Sequence, residues 1–231
     1  MPSALSNTGL VKLRSKLRAM RELFANRDGI SIVEFALVLP VLLTMGLFGT
    51  EIARMATVNM TISQIALSLA DNASRLGQTD NSGVTPTITY DNVDSVLAGA
   101  LRDGEKIDLE ENGRVILSSL EYNAFQDKQF IAWQRCRGDL VVDSDYGNDT
   151  DKNGINGPVI AGMGPGATQI TAQNGQAVMY VEIEYTYSAL FENPFGSGDK
   201  TLRKEAAFLI RDDRNLGPGL TGTNSGDSDC A

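Results

Sequence analysis

The chain has 231 residues and a formal charge of −9, enough for one ordinary domain and an anchor. It contains no histidine, which removes the usual general base and the commonest zinc ligand. The acidic balance argues against a nucleic-acid partner, because phosphate binding needs the opposite sign.

The charge is unevenly distributed along the chain. Residues 1–28 carry six basic groups (Lys12, Arg14, Lys16, Arg18, Arg21 and Arg27) against Glu22 and Asp28. Leu10, Leu13, Leu17 and Met20 recur between them at helical spacing. This basic leader reads as a cytoplasmic segment, either lying on an anionic membrane surface or solvated as a flank.

Residues 29–50, GISIVEFALVLPVLLTMGLFGT, hold Glu34 as their only charge. At about 1.5 Å per residue such a helix just spans a hydrocarbon core of roughly 30 Å, and membrane helices tolerate a proline such as Pro40. From Glu51 onward the chain has 14 basic against 26 acidic side chains. The basic flank is expected to stay in the cytoplasm and send the acidic remainder across the membrane.

Beyond the span, Ile52, Met55, Ala56, Ile62, Ile65, Ala66, Leu69, Ala73 and Leu76 form an apolar stripe at three- and four-residue steps. The spacing therefore predicts one helix over residues 30–76, half in the membrane and half amphipathic, with Gly77 as its stop. A second, short helix is expected over 91–101, capped by Asp91 or Asn92. Strand signals follow at 114–122, at 129–135 with Ile131 and Trp133 on one face, and at 177–187. In AVMYVEIEYTY the apolar residues alternate with Glu182, Glu184 and Thr186, the pattern of an antiparallel sheet covered on one side only. Residues 192–199 reverse the chain, and 201–211 reads as a returning strand, although KEAAFLI also suits a helix. The expected fold class is thus α+β, a long N-terminal transmembrane and amphipathic helix packed on a mostly antiparallel-sheet head. The head spans 77–211, and a flexible tail follows over 212–231.

The two cysteines, Cys136 and Cys230, lie 94 positions apart. In an exported head they are expected to pair, with a stabilisation of about 4 kcal/mol in the chain-entropy picture, tethering the tail.

One stretch invites a ligand. In residues 143–157, DSDYGNDTDKNGING, the run Asp149-x-Asp151-x-Asn153-Gly154 matches the front half of a calcium loop, where alternate oxygens on a tight turn suit a hard cation. The twelfth position is Ile160 rather than glutamate and no amphipathic helices flank it, so a solvated acidic turn is the competing reading. Residues 162–166 (GMGPG) lack the lysine of a phosphate loop and read as a turn. No Gly-x-Ser-x-Gly elbow occurs, and the chain is not expected to be an enzyme.

The junction Asp28-Gly29, Ile30-Ser31-Ile32-Val33-Glu34-Phe35 and the run VEFALVLPVLL resemble type IV pilin precursors. The nearest resemblance is to the TadE/TadG-like minor pilins of tight-adherence (Tad, Flp-type) pili, a pilin-like fold. It implies that a prepilin peptidase cuts after Gly29, giving a leader of residues 1–29 and Ile30 as the new amino terminus. Glu34 then becomes the fifth residue, and with Phe35 beside it would meet the amino terminus of a neighbouring subunit during assembly. The residue types fit those roles: glycine admits an extended backbone to a protease cleft, and a carboxylate in an apolar span needs a partner. The resemblance further implies a minor pilin (pseudopilin) acting in biogenesis of a Tad adhesion pilus. It would sit in a bacterial inner membrane with a periplasmic head, or in the extracellular fibre, among other Tad pilins and assembly-platform proteins. No cofactor is expected apart from the candidate Ca2+. The alternative is an uncleaved, membrane-tethered periplasmic scaffold or binding module, with calcium at its acidic loop.

Overall fold

The computed structural model describes residues 29–77, 85–191, 199–211 and 214–230. Residues 1–28 of the expected leader and 192–198 of the expected reversal lie outside these residues. The chain divides into two compact units at Glu51/Ile52.

In the first unit, helix α1 (Ile30–Ser74) begins and runs without interruption through Pro40. Residues 30–50 are all exposed, Leu37, Val41, Leu42 and Met45 among them. The helix is long and apolar enough to cross a membrane. The hydroxyls of the two threonines in this unit are satisfied internally, Thr44 Oγ1 donating to the Val41 carbonyl and Thr50 Oγ1 to that of Leu47, as a span in hydrocarbon would require.

In the second unit, α1 buries one stripe, Val58, Ile62, Ile65, Ala66, Leu69, Ala70 and Ala73. The three- and four-residue spacing puts these on a single face. The helix ends where Gly77 takes φ +81°, a conformation that favours glycine.

A short strand β1 (Ile88–Thr89) leads into α2 (Tyr90–Asp103). The cap differs from the sequence expectation: Thr89, not Asp91 or Asn92, is the N-cap. Its side chain accepts from the Asn92 N–H while the Asn92 side chain accepts from the Thr89 N–H. This is a capping box with Asn at the third position. A 3-10 turn (Glu105–Ile107) and α3 (Leu109–Asn112) then feed the sheet.

The sheet comprises β2 (Gly113–Asn123), β3 (Lys128–Arg137), β4 (Ala177–Tyr187) and β5 (Lys200–Leu209), in the order β3-β2-β4-β5. Every pairing in it is antiparallel, so the expected α+β architecture is observed and 200–209 is strand rather than helix. Two details depart from the sequence reading. First, the β2–β3 register skips Ala132, passing from Ser119↔Trp133 to Leu120↔Ile131. That bulge sends Ile131 and Trp133 into different clusters rather than onto one face.

Second, both faces of the sheet are covered. Val115, Leu117, Met179, Val181, Ile183 and Ala206 pack against the α1 and α2 stripes in the larger core. On the reverse face, Leu120, Ile131, Val178 and Tyr180 pack beneath Ile160, Met163 and Ala172 of the long β3–β4 connection. Polar alternation in β4 therefore marks a second interior, where Glu182 is only 2% exposed.

The tail is more built than its composition predicts. Strand β6 (Leu220–Thr221) pairs in parallel with β1, and the Cys136 N–H donates to the Ser228 carbonyl. Cys136 and Cys230 are bonded, with Cα atoms 4.9 Å apart.

Candidate functional site

The residues expected to take part in processing and assembly, Gly29, Ile30, Glu34 and Phe35, fall together at the start of α1. Gly29 lies one residue before the helix, and its carbonyl accepts the first helical bond, from the Val33 N–H, at 3.2 Å. The Gly29–Ile30 peptide therefore sits at the boundary between helix and leader. A Cβ added at Gly29 would meet nothing within 4 Å. Any demand for glycine here comes from something that handles the chain, not from the fold. Glu34 stands one turn into the helix and is exposed, with Phe35 beside it 63% exposed.

The acidic loop uses its oxygens locally. Asp149 Oδ2 accepts from the Gln134 N–H of β3. Asp151 Oδ1 accepts from the Asn148 amide and the Thr150 hydroxyl. Asn153 Oδ1 accepts from the Ile155 and Asn156 N–H groups. Asn148 Oδ1 closes a similar turn on Thr150 and Lys152. The Asn148 and Asn153 bonds are turn-forming contacts with the loop's own backbone, whereas Asp149 reaches β3 and Asp151 meets side chains. Gly147 (φ +120°) completes the loop, since a Cβ there would lie 2.1 Å from the Lys152 carbonyl oxygen. Among the described residues, no three His, Cys, Asp or Glu side chains converge as metal ligands.

The structure assembles a charged centre that the sequence did not single out. Arg203 of β5 is ion-paired with Glu182 (2.6 Å), Glu205 (2.8 Å) and Glu184 (3.4 Å), and with Asp145 of the β3–β4 connection. Ser144 donates to Glu182, and the Tyr180 and Tyr146 hydroxyls donate to Glu205. Burial pushes the Glu182 carboxyl up to about 7, against the lowering pull of Ser144 and Arg203. The cue that sequence offered was only the register: the β4–β5 pairing sets Glu182 opposite Glu205 and Glu184 opposite Arg203.

Arg214 forms a second such feature. It donates to the carbonyls of Ala73 (3.3 Å) and Ser74 (3.2 Å) at the end of α1 and of Leu76 (2.6 Å) just past it, where the helix itself supplies few donors. Arg211 joins it through Asp71, and its N–H donates to the Ser74 carbonyl.

Residues 29–71 match the family model described as TadE-like protein. No curated protein and no solved structure matches the chain. The match begins at Gly29 and runs through most of α1, and it associates the chain with the Tad pilus system.

Proposed function

We propose that this TadE-like chain is a membrane-anchored minor pilin that acts in biogenesis of a Tad (Flp) pilus. One observation carries the reading: the match starts at Gly29, at the boundary where α1 begins, and takes in Glu34 within an exposed apolar helix. The proposed mechanism is physical. The apolar part of α1 holds the subunit in the inner membrane with its head in the periplasm. Prepilin peptidase removes the basic leader after Gly29, and the new amino terminus of a neighbouring subunit is neutralised by Glu34. A carboxylate held in hydrocarbon is costly alone and favourable with such a partner, which gives assembly its register.

The test is the amino-terminal sequence and intact mass of the protein from membranes containing the peptidase. Wild type is expected to begin at Ile30, and Gly29→Val to keep its leader. Because a side chain at Gly29 meets nothing in the fold, retention of the leader would report on the peptidase. Glu34→Ala is expected to be cut normally and to fail in assembly. A wild-type chain that keeps Lys12 to Arg27 would instead be an uncleaved scaffold.

A further inference from the structure

The two edges of the sheet are treated differently. The chain covers β3 along its length: Ile131 donates to the Asn153 carbonyl, Gln129 bridges Ile160, Gln134 donates to Asp149, and Cys136 donates to Ser228. Strand β5 forms the other edge and pairs with β4 in unbroken register over ten residues, with no proline and no bulge. Among the described residues, no backbone hydrogen bond from outside the β4 pairing reaches residues 201–208. Proteins usually blunt an edge of this length, because its free N–H and C=O groups template a further strand.

Beside this edge runs a groove of about 540 Å³. Tyr180 and the small Ala207 line it from the sheet, and Pro165, Thr168 and Ile170 from the turn. At its end stands the Arg203 centre, where four carboxylates surround one guanidinium. Lys200 and Lys204 share the opposite face of β5, so the two faces of this edge differ in sign.

We propose that the β5 edge binds an extended segment of another protein by strand addition. The segment would carry an apolar side chain for the groove and a basic side chain four residues away on the same face. That spacing is the one between Ala207 and Arg203, about 13 Å along a strand. Acidic residues on its alternate face would meet Lys200 and Lys204. In this mode main-chain bonds supply affinity and the alternate side chains supply selectivity. A second copy of the chain fits less well. Two-fold antiparallel registers centred on Arg203, Lys204 or Glu205 set that residue against its like-charged twin, which is destabilising. The inference concerns the head alone and stands or falls independently of cleavage at Gly29.

The test uses the full chain in nanodiscs. The probe is a fluorescein-labelled ten-residue peptide, with Leu and Arg on one face and Glu and Thr on the other. A control peptide has the same composition without alternation. Saturable anisotropy is expected for the first peptide and at least tenfold weaker binding for the second. Amide exchange over residues 201–208 should slow on binding. Ala207→Trp, which fills the groove, should weaken binding at least tenfold, as should Ile170→Arg on the half-exposed wall opposite. No saturation at millimolar peptide, equal binding of both peptides, or indifference to both substitutions would overturn the proposal. So would cross-linking through Leu209→Cys showing β5 already paired with a second copy.

Discussion

Glu182 lies under the β3–β4 connection with Ser144, the Asp145 N–H and Arg203 as its polar neighbours. Its carboxyl titrates near 7 in the folded head and near 4.5 when unfolded, so folding favours the protonated form. The resulting stabilisation is complete below about pH 4.5, is lost as the pH rises to about 7, and changes little above that. Glu121, also raised by burial to about 7, acts in the same direction. Urea unfolding should therefore show stability falling between pH 5 and 7.5. Glu182→Gln should remove part of that fall, up to about 3 kcal/mol. A pH profile identical in the variant and wild type would refute this role.

At the scale of elements, the end of α1 is fixed from a distant part of the chain. A helix terminus lacks intrahelical donors for its last carbonyls, and here one guanidinium donates to three at or just past the end of α1. Arg214→Leu keeps much of the apolar stem and removes the donors. It should lower the unfolding free energy by about 1–3 kcal/mol, read as an earlier denaturant midpoint with an unchanged slope. Nothing in the local sequence of 212–231 announces this contact. Gly, Asn, Asp and Ser dominate there, and such composition reads as a free tail. Elsewhere local pattern was enough to find the elements: β4 alternates from Val181 to Tyr187, and α1 shows its stripe from Val58 to Ala73. The cap on α2 was also visible in principle, as Thr89 three places before Asn92, but Asn at that position is a weaker cue than Glu or Gln. The second interior was not legible. Its lid comes from a connection whose apolar contributions, Ile160, Met163 and Ala172 with Tyr146 packed against them, are scattered without periodicity, and glutamates in a strand ordinarily mark a solvent face.

For the whole molecule, the resemblance read from Gly29 through the apolar run falls within the TadE-like match, which extends further, over residues 29–71. The head beyond it was legible as a short helix, a succession of strands and a cysteine pair, without their order in the sheet. The Cys136–Cys230 bond has a mechanical consequence for that head. Pulled from its two ends, the oxidised chain carries tension into β3 at Cys136, across the sulfurs, and out at Cys230. The residues between them, 137–229, are spared the load, although β4, β5 and β6 all lie within that loop. Force spectroscopy should therefore find that complete extension of the oxidised chain is shorter by about 330 Å than that of the reduced chain or of Cys230→Ser. A chain built this way can be loaded at its two ends while β4 and β5, half of its main sheet, remain outside the covalent line of force.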